Sequence, residues 1–556
     1  MAQNVRCVSN FGTRSEWLNE ILEIVDIRWE RVILTFDVKM DAVEDVSFFL
    51  RSQRNLDQEP LLLHSTKVAE GRFELTINVT QFQNRRQVPN GTWLVCAETG
   101  GNEFVAQFDL SRIEELEERS RAFLYNGNFS SYTVTFGISD DETSPDFLMR
   151  TYAFGRSNRP QKRSWLQKNK AKARKRWTRT KRKVLRKIFQ AGVSARKGKE
   201  TRILFASEAR PNMQGNLKAV HDRLVERGLD KDFEFRYSFR TLHSTSRLSA
   251  FYLGWQLGRS DIVLIDDYFA ILKDISDTTS QRIIQLWHAG SGFKTIGYSR
   301  FGQYGSPHLT NSHRMYSYAI AGSQHLRDVY SEAFGIEREA VIATGLPRID
   351  NFLREGRVDE VRPGFEADFP AAVGKRKILF APTFRGHGAG DAHYPYEHID
   401  FEALYEACGE HSVVLFRQHH FVPDPAPIPS HLRDRLIDVS SFPDTNDLLL
   451  LTDVLITDYS SIIYEFALLR RPMLFFAFDL DLYSATRGMH RDYREVAPGD
   501  IATDFSTLLD LLREPNLSID KAQAFLDENF DYIDTKNSDR VIDQLILSDP
   551  KINQGE

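Results

Sequence analysis

One buried segment, interrupted by a short polar stretch, constrains the fold of this chain more than any other feature. Residues 455–479, LITDYSSIIYEFALLRRPMLFFAFD, start apolar, break at Thr457–Ser461, resume at helical spacing, and become apolar again after Pro472. This pattern predicts a strand, a polar loop, a helix and a second strand, which is the βαβ unit of a parallel sheet. In such sheets the loop that follows a strand faces the crevice where ligands bind.

The polar loop of this unit has two interpretations. Its adjacent hydroxyls, Ser460 and Ser461, precede a helix whose first N–H groups and positive dipole end suit an anion. Either serine could instead cap the helix. Because Thr457 and Asp458 lie in the same turn, the loop has more polar groups than capping requires. The loop is therefore predicted to bind an anionic group.

The same alternation of apolar strands, polar loops and helical stretches recurs from residue 201 onward. Two series of such units predict an α/β fold with two doubly wound domains and a cleft between them. The first series contains RILFASEARPNMQGN, DIVLIDDYF, IIQLWHAGSGFKTIG and AVIATGLPRID, and the second contains KRKILFAPTFRGHG, VVLFRQHHF and residues 455–479.

The amino-terminal part has a different period. Residues 20–140 alternate apolar and polar side chains, as in RVILTFDVKM, FELTINV and YTVTFGI, which predicts a small antiparallel β-sandwich. A chain of 556 residues is too long for one core. We predict a β-rich domain over 1–154, a basic linker over 155–199, an acceptor-side α/β domain over 200–370 and a donor-binding α/β domain over 371–556.

The composition is that of a soluble protein, with 41% apolar and 27% charged residues. An apolar run of 18 residues and a signal-peptide pattern are both absent, so neither a membrane span nor secretion is expected. Cys7, Cys96 and Cys408 are far apart in sequence, which fits a reducing cytoplasm and argues against a disulfide framework. The motifs HExxH, GxxxxGK[ST] and GxSxG are absent, which makes the common metal hydrolases, ATPases and serine hydrolases improbable.

Charge is distributed unevenly along the chain. Residues 161–190 hold 14 Lys and Arg and no acidic residue, so the net charge of −5 leaves about −19 for the remainder. A basic helix needs an anionic partner. Its apolar residues Trp177, Val184, Leu185 and Ile188 fall near one face, which favours the interface of an anionic membrane. A solvated linker helix is the alternative, and nucleic acid is not expected without a recognised binding module. The residues predicted to contact the membrane are Trp177, Lys175, Arg176, Lys181, Arg182 and Lys183.

Polar side chains follow most strands of the two α/β series. Histidine can exchange a proton near neutral pH, and arginine can bind two phosphate oxygens at once. Gathered in one cleft, these groups would support transfer at a phosphate, with His as base and with Arg, Ser and the helix dipole stabilising charge. The candidates are His288, Lys294, Gly345, Arg348, Thr383, Arg385, His387, Arg417, His419, His420, Asp458, Ser460 and Ser461.

The chain contains several longer motifs, which are QLWHAGSGFKTIGYSR, TGLPRID, ILFAPTFRG, LFRQHHF, LITDYSSIIYEFALLRRPMLFFAFDLDLY and APGDI. Together they resemble the CDP-glycerol glycerophosphotransferase family of teichoic acid synthesis. The segments ASEARPNMQGN, FGQYGSPHL, DAHYPYEHIDF and RWERVIL are similar to its ribitol-phosphate polymerase branch.

The resemblance implies a glycosyltransferase-B-type fold at the cytoplasmic face of the bacterial cell membrane. It also implies transfer of ribitol phosphate from CDP-ribitol to a lipid-linked teichoic acid chain, with release of CMP and with no cofactor or metal. CDP-glycerol as the donor, for a primase or a polymerase, is the alternative. A nucleotide-sugar glycosyltransferase on the same scaffold also stays open, since fold alone does not separate these reactions.

The resemblance also carries functional residues onto this chain. The two important histidines of the family fall on His288, as the base, and on His419, as the partner of the leaving phosphate. Where the family usually has His-Pro, this chain has His419–His420, so either ring could face the cleft. The residues that match donor-phosphate contacts are Arg385 and the Ser460–Ser461 pair, and those that match other motif positions are Asp458 and Glu465.

Overall fold

The computed structural model describes most of the chain, in two compact units. One unit comprises residues up to 159 together with 298–309, and the other comprises 160–297 together with 310–556. His387 lies outside the described residues, and so does the side chain of Lys175. The described residues are 21–40, 46–53, 58–83, 85–126, 128, 130–139, 146–155, 165–196, 201–240, 247–275, 280–288, 292–302, 306–386, 392–480, 483–484, 489–515 and 518–548.

The first unit is built from two mainly antiparallel sheets. Its strands are β1 (Glu23–Glu30), β2 (Ile33–Lys39), β3 (Ser47–Ser52), β4 (Leu61–Leu62), β5 (His64–Ala69), β6 (Arg72–Asn78), β7 (Gly91–Thr99), β8 (Asn102–Val105), β9 (Gln107–Phe108), β10 (Arg121–Tyr125), β11 (Ser130–Ile138) and β12 (Phe147–Gly155). One sheet has the order β5-β6-β2-β1-β9, and the other has the order β10-β11-β12-β7-β3-β4 with β8 beside β7. The short helix α1 (Glu115–Arg119) lies between β9 and β10 in the chain.

Both sheets contribute to a single hydrophobic core. Leu34 and Phe36 of β2 are fully buried in it, as is Val134 of β11. The alternation of buried and half-buried residues along β2 follows the apolar alternation in its sequence, because successive side chains of a strand point to opposite faces. Phe301 and Leu309, from the distant segment 298–309, complete this core.

The basic segment forms one long helix, α2 (Trp165–Ser194), whose later half is part of the second unit's core. Leu185 and Phe189 are buried, and glycines of the neighbouring helix let the two backbones approach closely. A Cβ added at Gly258 would lie 2.2 Å from the Phe189 carbonyl oxygen. The prediction that Leu185 belongs to a membrane-facing apolar surface is therefore wrong, because Leu185 packs inside the protein. Trp177 and Val184 are 62% and 40% exposed.

The second unit contains two parallel sheets of six strands each. The strands of the first sheet are β13 (Thr201–Ser207), β14 (Phe233–Phe239), β15 (Ile262–Ile265), β16 (Arg282–Gln285), β17 (Tyr318–Ala321) and β18 (Val341–Ala343). Those of the second are β19 (Arg376–Phe380), β20 (Ser412–Phe416), β21 (Leu436–Asp438), β22 (Val454–Thr457), β23 (Met473–Phe476) and β24 (Asp500–Ala502).

Helices alternate with these strands along the chain, as the sequence pattern predicts. They are α3 (Gly215–Glu226), α4 (Arg247–Arg259), α5 (Leu326–Phe334), α6 (Arg348–Phe352), α7 (Arg357–Asp368), α8 (Phe401–Cys408), α9 (Thr445–Leu450), α10 (Ile463–Leu468), α11 (Tyr493–Val496), α12 (Phe505–Arg513), α13 (Ile519–Asn529) and α14 (Asn537–Val541), which continues into a π-helical turn over Ile542–Leu547. In the part of the chain that is described, none of the helices has the length and apolar character needed to cross a bilayer.

The strand order of each parallel sheet determines where its loops form a crevice. The sheets have the orders β14-β13-β15-β16-β17-β18 and β21-β20-β19-β22-β23-β24. In each, the chain direction across the sheet reverses beside the first strand, and the loops that leave the two neighbouring strands form a crevice there. The pairs concerned are β13 with β15 and β19 with β22. The βαβ unit predicted over residues 455–479 is confirmed as β22, α10 and β23.

Candidate active site

A cavity of about 480 Å³ lies where loops of the two parallel sheets meet. It brings His288, which follows β16 of the first sheet, together with His419 and Ser461, which follow β20 and β22 of the second. Its described lining residues are Ala209, Arg210, Asp267, Trp287, His288, Phe293, Lys294, Ile296, His419, His420, Phe421, Tyr459 and Ser461.

The ring of His288 has a defined orientation. Its Nδ1 lies 3.2 Å from the carbonyl oxygen of Asp266 and 3.5 Å from Oδ2 of Asp267. Because a carbonyl oxygen only accepts hydrogen bonds, Nδ1 carries the proton in the neutral ring, and Nε2 has a lone pair. Burial lowers the pKa of His288, an effect that the Asp267 carboxylate partly opposes. This lowering favours the neutral ring, which is the form that a general base requires.

His419 is held in the opposite tautomer. The backbone N–H of Phe421 donates to its Nδ1 at 3.2 Å, so the ring proton of the neutral form lies on Nε2. Burial and the neighbouring charges of His420 and Lys294 lower the pKa of His419 to about 4. His288 therefore offers an acceptor and His419 a donor.

Both histidines of the His419–His420 pair line the cavity. Their rings stack with centroids 4.3 Å apart, and His420 is the more exposed of the two. The structure thus gives His420 access to a ligand as well. Of these two rings, His419 is the one whose tautomer is fixed by a backbone hydrogen bond among the described residues.

A smaller cavity, of about 120 Å³, shares His419 and His420 with the larger one. The guanidinium of Arg417 donates to the carbonyls of Val439, Ser440 and Phe442, so this arginine shapes the wall of the small cavity. The side-chain amide of Gln418 is buried and has no hydrogen-bond partner among the described residues. The lining residues are Ala381, Pro382, Arg417, Gln418, His419, His420, Thr445, Ser460 and Ile462.

Ser460 and Ser461 lie between the two cavities. Ser461 lines the larger one and Ser460 the smaller one. The residue in the N-cap position of α10 is Ile462, which has no side-chain cap, and the Ser460 hydroxyl accepts only a long 3.4 Å hydrogen bond from its N–H. Helix capping is therefore a weak explanation for the serine pair.

Arg385 lies in a network behind the cavities rather than among their lining residues. It donates two hydrogen bonds to the Asp479 carboxylate, at 2.7 and 2.9 Å, and one to Asp458 at 2.9 Å. The Thr383 carbonyl accepts another. Although burial opposes its charge, the carboxylates of Asp458 and Asp479 raise the pKa of Arg385. Direct contact of Arg385 with a donor phosphate stays a prediction, since its guanidinium is engaged by this network.

Asp458 is the centre of that network. Its Oδ1 accepts from the backbone N–H groups of Thr383, at 2.7 Å, and of Tyr459, at 2.6 Å. It thereby ties the loop after β19 to the loop after β22 at the switch point of the sheet. The hydroxyl of Thr383 is buried without a hydrogen-bond partner in the described part of the chain.

A buried ion pair joins elements that belong to the two parallel sheets of the second unit. Arg348, at the start of α6, donates to the Glu465 carboxylate on α10 and to the His288 carbonyl. The side chains are 16% and 2% exposed. Burial raises the pKa of Glu465, and the charge of Arg348 opposes this rise. The pair connects the backbone of His288 to the helix that follows Ser461.

Gly345 has a packing role beside this pair. Its φ is +80°, and an added Cβ would lie 1.7 Å from Oδ1 of Asn537. Only glycine fits both the left-handed backbone and this close approach.

Among the ionisable residues that line the larger cavity, sequence reasoning missed three, namely Arg210, Asp267 and Tyr459. Arg210 and Asp267 follow β13 and β15, so the strand-end pattern that singled out the other candidates could have found them. Tyr459 lies inside the polar loop itself. Among the described residues, no three His, Cys, Asp or Glu side chains cluster so as to hold a metal ion.

Comparison with known proteins gives a consistent result. A family model described as CDP-Glycerol:Poly(glycerophosphate) glycerophosphotransferase matches residues 188–547. The teichoic acid ribitol-phosphate polymerase TarL of Staphylococcus aureus is 32% identical, over 94% of this chain and 98% of that protein. The teichoic acid ribitol-phosphate polymerase TarK of the same organism is 41% identical, over 62% of this chain and 68% of that protein.

A solved structure of the wall teichoic acid polymerase TagF has a similar fold, with a TM-score of 0.55 and 24% identity over 70% of this chain and 98% of that one. The family model and TarL confirm the resemblance inferred from the motifs. The chain is an enzyme and belongs to the CDP-glycerol:poly(glycerophosphate) glycerophosphotransferase family.

Proposed function

We propose that this enzyme is a teichoic acid polymerase that transfers ribitol phosphate from CDP-ribitol to a lipid-linked poly(alditol phosphate) chain and releases CMP. The observation that carries the proposal is the pairing of His288 and His419, from different domains, in opposite tautomers on one cavity. The names of the relatives TarK and TarL, both ribitol-phosphate polymerases, support ribitol as the alditol.

The proposal includes the finer architecture. The two α/β domains, over 200–370 and 371–556, form a glycosyltransferase-B pair with acceptor and donor sides. A β-sandwich over 1–154 and a basic linker over 155–199 precede them. The catalytic cavity lies between the two α/β domains, as such a pair requires.

His288 acts on the acceptor. The terminal alditol hydroxyl gives its proton to Nε2 of His288, and its oxygen attacks the β-phosphorus of the donor. The Asp267 carboxylate, 3.5 Å from Nδ1, stabilises the imidazolium that forms. The new oxygen–phosphorus bond extends the chain by one alditol phosphate.

His419 acts on the leaving group. The bond between the β-phosphorus and the bridging oxygen breaks, and this oxygen departs on CMP. Nε2–H of His419 donates a hydrogen bond to that phosphate, which gains negative charge as the bond breaks. His420, stacked on His419, adds a second nitrogen-bearing ring at the same place.

Ser460 and Ser461 hold the diphosphate between the cavities, with the nucleoside end towards the smaller one. Fixed N–H dipoles supply the positive field at the diphosphate, and no cofactor is invoked. Thr383 and Asp458 keep this loop pair in register.

The donor assay tests the proposal directly. Purified enzyme and a soluble acceptor are incubated with CDP-ribitol, CDP-glycerol or a UDP-sugar, and release of CMP or UDP is measured. We expect CMP release with CDP-ribitol to exceed that with CDP-glycerol and UDP release to be absent. Faster turnover of CDP-glycerol would assign the glycerol alternative, and UDP release would overturn the alditol phosphotransferase.

The exposed part of the basic helix is proposed to attach the enzyme to an anionic membrane surface at the cytoplasmic face, where the lipid-linked acceptor is found. Trp177 and the cations Arg176 and Lys183 are exposed. Arg182 forms an ion pair within the protein, since its Nε lies 2.8 Å from the Asp274 carboxylate. Lys181 is partly buried. The charge available to a membrane is therefore smaller than the sequence alone indicates.

Neutralising Lys175, Arg176 and Lys183 to Gln should release much of the protein from vesicles that contain anionic lipid, because each cation near such a surface contributes about 1 kcal/mol. Trp177→Ala should weaken binding even at high salt, where charges are screened but ring burial persists. Vesicle sedimentation measures both effects.

The control replaces three exposed cations elsewhere, Arg494, Arg513 and Lys521, with Gln and should stay bound. Turnover of a soluble acceptor should survive in every variant. If the triple Gln variant of the basic helix sediments like wild type, the helix is a linker and the membrane contact lies elsewhere.

A further inference from the structure

Two permanent cations, Arg210 and Lys294, line the larger cavity together with three histidines whose pKa values are lowered. Asp267 is its only carboxylate among the described lining residues, and it faces the ring of His288. The cavity, of about 480 Å³, therefore has two separate positions at which a cation can hold an anionic group.

Arg210 is a cation that lies apart from Ser460 and Ser461, the proposed site of the donor diphosphate. It follows β13 and so belongs to the first α/β domain, like His288, whereas Ser460 and Ser461 belong to the second. Its side chain is 30% exposed, and Nη1 lies 3.6 Å from the buried carboxylate of Asp266. Asp266 is also the residue whose carbonyl faces the His288 ring. Arg210 is thus held beside the proposed base.

Electrostatic effects agree with this position. The positive charge of Arg210 is among the causes that lower the pKa of His288, after burial, and it also lowers the pKa of His420. Arg210 therefore lies within electrostatic reach of the base on one side and of the histidine pair on the other. An anion bound to it would be adjacent to the reacting hydroxyl.

We propose that Arg210 binds the phosphodiester of the acceptor's terminal unit and thereby places the terminal hydroxyl at His288. The inference rests on the proposed function. In a poly(alditol phosphate) chain, the last alditol bears a free hydroxyl at one end and a phosphodiester at the other. A guanidinium that holds the phosphodiester by charge-assisted hydrogen bonds fixes the hydroxyl one alditol length away. The growing chain is then recognised by its charge as well as by its hydroxyl.

Two acceptors that differ in charge test whether Arg210 binds the phosphodiester of the acceptor. One is a soluble trimer of ribitol phosphate, and the other is an uncharged acceptor with a terminal ribitol and no phosphate. Binding of each, without donor, is measured by calorimetry for wild type, Arg210→Gln and Arg210→Lys. Arg338→Gln is the control, since Arg338 is an exposed arginine of the same domain, paired with Asp328.

Arg210→Gln should weaken binding of the charged trimer about 10- to 100-fold, the range for a lost hydrogen bond to a charged group. Arg210→Lys should restore part of that affinity, and Arg338→Gln should bind like wild type. Binding of the uncharged acceptor and the KM for CDP-ribitol should change less than threefold. Thermal melts check that the variants are folded.

Equal losses for both acceptors, or a KM for CDP-ribitol that rises as much as trimer binding falls, would overturn the assignment of Arg210 to the acceptor phosphate. Undiminished trimer binding in Arg210→Gln would also overturn it. The calorimetric binding measurements need no turnover. An absence of CMP release from wild type would therefore contradict the proposed function and not the assignment of Arg210 to the acceptor phosphate.

Discussion

His288→Ala is expected to lower turnover by about 10²-fold or more, the scale of a positioned general base. The ring is oriented by the Asp266 carbonyl and the Asp267 carboxylate, and in the proposed mechanism its Nε2 accepts the acceptor's proton. His419→Ala should have an effect of the same order, because the departing phosphate loses its donor. Steady-state CMP release with CDP-ribitol and a soluble acceptor measures both.

The pH profile and a neighbouring variant sharpen this prediction. Because burial lowers the pKa of His288, the acid limb of kcat/KM should lie below the usual histidine value of about 6.5. Asp267→Asn removes the carboxylate that opposes this lowering, so the limb should move to still lower pH. His420→Ala should be mild. A severe His420→Ala beside a mild His419→Ala would reverse the assignment of the pair.

Glu465→Gln is expected to destabilise the protein by about 3–5 kcal/mol, the usual cost of breaking a buried ion pair. The change leaves the Arg348 guanidinium charged and largely buried, with its carboxylate partner gone. Turnover should fall as well, because Arg348 also holds the His288 carbonyl. Denaturant unfolding of the purified protein measures the stability change.

Two comparisons identify the cause of that loss. The exposed pair of Arg354 and Glu360 is a matched control, and Glu360→Gln should leave the free energy of unfolding close to that of wild type. The double variant Arg348→Met with Glu465→Leu should be more stable than Glu465→Gln, since it leaves no unpaired charge. A Glu465→Gln protein as stable as wild type would show that the ion pair does not stabilise the fold.

The sequence by itself determined the local structure and the family. Apolar periodicity predicted the unit of β22, α10 and β23, because burial of one face selects the period of a strand or a helix. The strand-end rule also identified His288, His419 and Ser461, three of the residues that line the larger cavity. The rule works because parallel strands place their following loops along one edge.

Only the tertiary structure decided what these side chains contact. Arg385 has the same strand-end position as the histidines, yet Asp479, 94 residues away, binds its guanidinium. Leu185 belongs to an apolar stripe that suits a membrane, yet it packs against Gly254 in the core. The tautomers of His288 and His419 depend on an Asp266 carbonyl and a Phe421 N–H. Periodicity reports which face of an element is buried, whereas the partner of each polar atom depends on backbone brought in from distant parts of the chain.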